Sequence, residues 1–369
     1  MTLDAIVVGA GPAGLATSRE LSRAGVDHRV LERGPSVGHT WAHLYDSLVL
    51  HTGKHLSALP GMPFPRATPL FPTRRDFLGY LDRYADAFRV PLLPNARVTS
   101  ARREHSGWVV RTEDGVERRA SAVVFATGIV ANPRIPSIPG VDRFTGPIIH
   151  SVEYRRPDPF RDQHVLVVGA GNSAGEIAAE LAAAGVRVTL AVRSGARVVP
   201  RELFGVPIQY LAVALSPLPR AAQQAIQCVT ARLGEVVRGP SPLPPPPPAR
   251  CSDVPLIGFY LADALRAGAI GLKRGIAAFA DTGVRFEDGS VEPFDSAILA
   301  TGYTAAVQPL GDSIRLDQCG FALRRDRVAS ADLAGLYFVG HNYDTRGGLR
   351  NIAQDARIAA NLISRLFQS

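Results

Sequence analysis

The chain has 369 residues, 46% of them apolar and 20% charged, which is long enough to bury two or more cores. Its formal charge of +8 raises nucleic acid as a partner, but no basic run exceeds two residues and only Lys54 and Lys273 of the 41 basic residues are lysines. Scattered arginines of this kind argue against a nucleic-acid interface and leave a general attraction for anionic ligands. Cys228, Cys251 and Cys319 lie far apart with no CxxC spacing, so neither a redox dithiol nor a zinc site is expected and no metal is assigned. No apolar run approaches the ~20 residues of a membrane span. The first strand begins at once and leaves no room for a signal peptide, so the expected location is cytoplasmic.

In chain order, the apolar run Ala5-Ile6-Val7-Val8 predicts a buried strand, and Gly9-Ala10-Gly11-Pro12-Ala13-Gly14 follows it and opens a helix. The first glycine permits a tight turn, the second lets the backbone approach a pyrophosphate, and the third lets helix pack on sheet. The pyrophosphate then sits on unpaired N–H groups at the helix amino end. The strand-like run 27–31 ends at Glu32, whose carboxylate accepts hydrogen bonds from both ribose hydroxyls and repels a 2′-phosphate. That suits FAD or NAD.

Residues 34–75 form a long segment rich in Gly, Pro, His and aromatics, and Trp41, Tyr45, Phe64 and Phe71 argue that it is ordered. Helical spacing of Phe77, Leu78, Leu81, Tyr84, Ala85 and Phe88 predicts a helix over 75–88. A β-rich stretch runs over 98–125, turns at Glu113-Asp114-Gly115 and ends in Ala126-Thr127-Gly128.

A second fingerprint, Gly169-Ala170-Gly171-Asn172-Ser173-Ala174, follows Val165-Leu166-Val167-Val168. Its unit closes differently, with Val188-Thr189-Leu190-Ala191-Val192 running into Arg193-Ser194. A guanidinium and a hydroxyl suit a 2′-phosphate, although in so arginine-rich a chain Arg193 also reads as a solvated surface residue. Two fingerprints therefore predict two dinucleotides, FAD at the first and NADPH at the second, with electrons passing between them. Ile208, Leu211, Ala212 and Leu215 fall in apolar helical stretches within 206–237, read as core or as the wall of a substrate channel. Residues 239–248 are proline-rich and predict a polyproline II spacer or, alternatively, a docking peptide. Ile298-Leu299-Ala300-Thr301-Gly302 and Gly335–Gly340 close the later strands, and a final helix is expected over 349–366. Gly347-Gly348 precede it, and its amino end suits negative charge on a reduced flavin ring.

Between the fingerprints, Phe144-Thr145-Gly146-Pro147-Ile148-Ile149-His150-Ser151-Val152-Glu153-Tyr154 resembles the FxGxxxHxxxY signature of the class B flavin-dependent monooxygenases. Tyr154 resembles the heteroatom-oxidising branch. Asn172-Ser173, Val199-Pro200-Arg201-Glu202, the segment from Tyr45-Asp46 to His51, Pro72-Thr73-Arg74 and Ala300-Thr301-Gly302-Tyr303 look most like the YUCCA-type enzymes and their bacterial relatives.

The resemblance implies that NADPH reduces FAD and that the reduced flavin reacts with molecular oxygen to give a C4a-hydroperoxide. That species oxygenates a small molecule, either a soft amine or sulfur nucleophile or a keto acid, which loses its carboxylate. It implies FAD contacts from Gly9, Gly11, Pro12, Ala13, Gly14, Glu32, Trp41, Thr127, Gly128 and Leu349. NADPH or interdomain contacts fall to Gly169, Gly171, Asn172, Ser173, Arg193, Ser194, Arg201, Thr301 and Gly302. His51 occupies the place where many members carry an asparagine that supports the peroxide, and it reads either as that support or as a loop histidine. His150 reads as part of the domain linker or as a histidine bonded to backbone at a hinge.

The expected fold is α/β, with two Rossmann-type domains. An NADPH domain over 155–295 is inserted into an FAD domain built from 1–154 and 296–369, and the active site is expected in the cleft between them. An NADPH-dependent flavin reductase serving a protein partner, an oxidase that releases hydrogen peroxide and a redox-sensing binding protein stay open as alternatives. So does a homodimer.

Overall fold

The computed structural model describes residues 2–105, 107–203, 205–219, 222, 226, 239–246, 255–342 and 347–367. The chain divides into two compact units, one made of 1–132 with 303–369 and the other of 133–302. Both are Rossmann-type, and the second is inserted into the first.

The first unit is built on a nine-stranded sheet. Its parallel centre runs Leu336–Phe338, Glu117–Phe125, Leu3–Val8, His28–Leu31, Leu92–Leu93. The short runs Arg324–Arg325 and Ala329–Ser330 extend one edge antiparallel, and the hairpin Val98–Glu104 with Gly107–Thr112 pairs onto Glu117–Phe125. Alternation along Leu3–Val8 decides the layers, because successive side chains face opposite sides of a strand. Ala5 and Val7 pack with the helices Pro12–Arg23, Arg74–Ala87 and Gly348–Ser364, while Ile6 and Val8 pack with Trp108, Phe125 and Phe338.

The aromatic segment 34–73 is ordered because the helix Arg74–Ala87 holds it. That helix starts on a capping box, with the Thr73 hydroxyl accepting from the Asp76 amide and the Asp76 carboxylate accepting from the Thr73 amide. Its buried face carries two tyrosines that reach back along the chain. The Tyr80 hydroxyl accepts from the Leu59 amide at 2.8 Å and donates to the Met62 carbonyl at 2.6 Å, and Tyr84 donates to the Pro60 carbonyl at 2.7 Å. Phe64 stacks on Tyr80 at 4.0 Å. Lys54 donates to the carbonyls of Arg66 and Thr68.

The second unit has a five-stranded, wholly parallel sheet in the order Ile270–Arg274, Arg187–Val192, His164–Val168, Ser296–Leu299, Ile148–His150. A three-stranded antiparallel sheet, Ile276–Ala280, Gly283–Phe286 and Val291–Pro293, belongs to the same unit. The helix Ile208–Ala214 falls in the apolar stretch over 206–237, most of whose remainder lies outside the described residues, as do 247 and 248 of the proline-rich run.

One buried group in the first unit makes a measurable prediction. His341 is 2% exposed, lies between the rings of Phe321 and Phe338, and neither ring nitrogen has a hydrogen-bond partner among the described residues. Burial, aided by the Arg324 charge, pushes its pKa down to about 3. An imidazole neutral in the folded state and protonated in the unfolded one favours unfolding as pH falls from about 6.5 towards 3. By pH 5 this group alone should cost about 2 kcal/mol of stability. His28, His39, His150 and His164 are also shifted down, so the His341 share is a difference between variants. Urea denaturation at pH 7 and pH 5 should show His341→Leu losing less stability on acidification than the parent. Identical losses would contradict the assignment.

Candidate dinucleotide-binding sites

In the first unit the fingerprint glycines have different physical reasons to be glycine. Gly9 sits at φ +100°, its amide bonds the Leu31 carbonyl at 2.7 Å, and a Cβ there would lie 2.9 Å from the Ala126 carbonyl oxygen. A Cβ on Gly14 would lie 1.8 Å from the Gly9 carbonyl oxygen. Both are required by the fold. Gly11 has φ −78° and nothing within 4 Å of where its Cβ would be, so the protein itself tolerates a side chain there. It caps the helix Pro12–Arg23, whose amino end receives no side-chain hydrogen bond. An open cradle at an uncapped helix start fits a pyrophosphate.

Glu32, 6% exposed, is fixed by two amides: one carboxylate oxygen accepts from Ala10 at 2.7 Å and the other from Gly34 at 3.0 Å. Its charge is thus held beside the fingerprint loop, with further acceptor capacity for a ribose diol. The Gly38 amide bonds the Ala10 carbonyl at 2.9 Å and begins the short helix His39–Ala42, whose Trp41 meets Phe77 edge-on at 4.6 Å. Thr127 donates to the Ala306 carbonyl at 2.6 Å and Gly128 takes φ +65°.

Leu349 lies in the first turn of the helix Gly348–Ser364 and packs on the core. Gly347, at φ +102°, begins that helix without a side-chain cap, and a Cβ on it would lie 3.0 Å from the Thr52 hydroxyl. His51, half-buried, is therefore next to a residue that abuts the helix amino end. It follows Leu50, whose amide bonds the Pro72 carbonyl at 2.8 Å.

In the second unit the pattern repeats. Gly169 takes φ +134°, and a Cβ on it would lie 2.3 Å from the Ala300 carbonyl oxygen. Ala174 is fully buried against it, as the third position of the motif requires. Gly171, at φ −84°, again has nothing within 4 Å and caps the helix Asn172–Ala183 without a side-chain bond. Asn172 spends its amide on the protein, donating to the Pro255 carbonyl at 3.0 Å and accepting from the Ile257 amide at 2.8 Å. Ser173 and Ser194 are half-buried and Arg193 is exposed. Arg201 is half-buried, and desolvation lowers its pKa against the opposing charges of Glu176 and Glu202.

The signature between the fingerprints is structural in its contacts. The strand Ile148–His150 pairs with Ser296–Leu299. The His150 ring accepts from the Val152 amide through Nδ1 at 3.2 Å, and burial lowers its pKa. The fully buried Tyr154 donates to Glu180 on the helix Asn172–Ala183 at 2.9 Å. Thr301 donates to the Arg134 carbonyl at 2.5 Å, and Gly302 takes φ +88°. Sequence reading missed Glu180, Gly34 and the Pro255–Ile257 anchor. Glu180 and the Pro255–Ile257 anchor act across distance in the chain, whereas Gly34 lies only two residues from the Glu32 carboxylate it donates to.

Among the described residues no group of three or more His, Cys, Asp or Glu is placed to hold a metal, and no helix is long and apolar enough to cross a membrane.

Comparison with known proteins agrees with this geometry. Residues 6–202 match the family model described as pyridine nucleotide-disulphide oxidoreductase. The chain is 34% identical to the indole-3-pyruvate monooxygenase YUCCA1 of Oryza sativa subsp. japonica, over 95% of this chain and 89% of the relative. It is 35% identical to the probable indole-3-pyruvate monooxygenase YUCCA1 of Arabidopsis thaliana, over 95% and 87%. Among solved structures, a flavin-containing monooxygenase from Stenotrophomonas maltophilia superposes with a TM-score of 0.79 at 23% identity, covering 99% of both chains.

Proposed function

The chain belongs to the flavin-dependent monooxygenases of the YUCCA type and is an FAD- and NADPH-dependent oxidoreductase acting with oxygen on a small molecule, and from that membership we propose a 2-oxo acid bearing an aryl group as its substrate. The observation that carries this reading is the 34% identity, across nearly the whole chain, to an indole-3-pyruvate monooxygenase. In this reaction the 2-oxo acid, NADPH, a proton and dioxygen give the shortened carboxylic acid, carbon dioxide, NADP⁺ and water.

Reduced FAD supplies the activation of oxygen. The protein supplies binding and order. The open cradle at Gly11, with Gly9, Pro12, Ala13 and Gly14 around it, would receive the FAD pyrophosphate, and Glu32 would accept from the adenosine ribose. Trp41, Thr127, Gly128 and Leu349 complete the flavin set. The amino end of the helix Gly348–Ser364 would favour the anionic reduced ring, and His51 would donate a hydrogen bond from its ring N–H in support of the flavin's oxygen chemistry. Gly171 and the start of the helix Asn172–Ala183 would receive the NADPH pyrophosphate. Arg193 and Ser194 would receive its 2′-phosphate, with Ser173 and Arg201 alongside. Asn172, Thr301, Gly302 and His150 act on the protein side, each bonded to backbone of its own unit. The same reading places the enzyme in the cytoplasm, with its supply of NADPH.

Indole-3-pyruvate and phenylpyruvate should accelerate NADPH consumption and yield the corresponding acetic acids, whereas amines and thioethers should not. Product from a thioether or amine but not from either 2-oxo acid would refute the substrate class. For the reductant, Arg193→Ala should lower the kcat/KM preference for NADPH over NADH by about tenfold, the worth of one partly solvated phosphate contact. An unchanged preference would remove Arg193 from the phosphate seat.

A further inference from the structure

The proline-rich segment has no part in the reading above, yet it lies against the residues that follow Ser194. The Gly195 amide donates to the Pro245 carbonyl at 3.2 Å, and a Cβ on Gly195 would lie 1.7 Å from the Pro244 carbonyl oxygen. Gly195 is buried, and Leu243 is 5% exposed. The upstream end of the segment is tied down separately: Arg266, on the helix Tyr260–Arg266, donates to the carbonyls of Pro240 at 3.1 Å and Gly239 at 3.4 Å. On its far side the same loop is held where the Leu256 amide bonds the Arg197 carbonyl at 2.9 Å.

We propose that residues 239–246 form a strap that fixes the Arg193–Ser194 turn and so sets the preference for a 2′-phosphorylated dinucleotide, an inference that rests on the assignment of that turn as the phosphate seat. A run of prolines suits the task. It has few amide donors of its own, so its carbonyls are free to accept, and its restricted φ means that little entropy is lost on holding one shape. Arg193 is exposed, and an arginine on an unsupported loop loses rotamer and backbone freedom when it binds phosphate. Pinning Gly195, two residues on, removes part of that cost in advance. The buried Leu243, the Pro245 carbonyl bonded to Gly195 and the Pro244 carbonyl packed against Gly195 also argue against the segment as a free docking peptide.

The test uses the FAD-loaded enzyme and two probes that differ in the 2′-phosphate, adenosine 2′,5′-bisphosphate and 5′-AMP, measured by isothermal titration without turnover. Gly195→Ala removes the close approach. Arg266→Met releases the other anchor and leaves the turn untouched, so the result does not depend on how Gly195→Ala folds. Both variants should bind the bisphosphate about tenfold more weakly and 5′-AMP within about twofold of the parent. An unchanged bisphosphate affinity, or an equal loss for both probes, would overturn the strap. A parent enzyme with no preference for the bisphosphate would instead sink the phosphate seat at Arg193 and the strap with it.

Discussion

Gly11→Val should give a folded protein that has lost its flavin. The backbone at Gly11 lies at φ −78°, where any L-residue is at ease, and no atom lies within 4 Å of the site a Cβ would take. The protein's own packing therefore does not require glycine there; under the proposed assignment the pyrophosphate does. A valine would fill the cradle at the helix amino end and displace the phosphate from the amides that receive it. Purified parent should carry about one FAD per chain, and the variant close to none, with an unaltered far-ultraviolet circular dichroism spectrum. Gly14→Ala is the contrasting control. Its Cβ would meet the Gly9 carbonyl oxygen at 1.8 Å, so it should lose flavin and fold together. A Gly11→Val protein that retains stoichiometric FAD would remove the first fingerprint from the flavin site.

The equivalent change in the second unit should separate the two cofactors. Gly171 has φ −84° and the same open surroundings, so Gly171→Val should fold and stay yellow. Its kcat/KM for NADPH should fall by at least a hundredfold, about 2.7 kcal/mol of lost binding and positioning. Reduction by dithionite, which needs no dinucleotide, should be unchanged. Rapid-mixing measurement of flavin reduction by NADPH checks this directly. Parent-like reduction rates at low NADPH would show that the second fingerprint does not hold the reductant.

What was legible in the sequence follows from the range of the forces involved. The fingerprints could be read because sterics over six residues dictate them: a carbonyl from Gly9 presses on Gly14, and an extended strand must turn into a helix. The helix Arg74–Ala87 could be read from its apolar spacing, within one residue at each end, while its Thr73-to-Asp76 capping box emerged only in the structure. That the aromatic segment before it is ordered was also legible, but its anchors were not, since the Tyr80 and Tyr84 hydroxyls reach carbonyls and amides about twenty residues back. The contacts of the signature were still less visible. The three-residue strand Ile148–His150 is too short to show a period, and it exists because Ser296–Leu299 offers it an edge. Tyr154 has a partner, Glu180, that only the folded second unit brings near. Asn172 stands inside the second fingerprint, and its side-chain amide bonds Pro255 and Ile257, two contacts no local pattern announces.

Oxygen transfer itself is tested most directly by isotope. Turnover of phenylpyruvate with NADPH under ¹⁸O₂, with catalase present to remove free peroxide, should give phenylacetate carrying one ¹⁸O atom per molecule. That acid should appear in proportion to NADPH consumed, because the new carboxylate oxygen comes from dioxygen when the 2-oxo acid loses carbon dioxide. NADPH consumption that yields no labelled acid, with hydrogen peroxide formed in equal amount when catalase is left out, would contradict a monooxygenase and identify an oxidase.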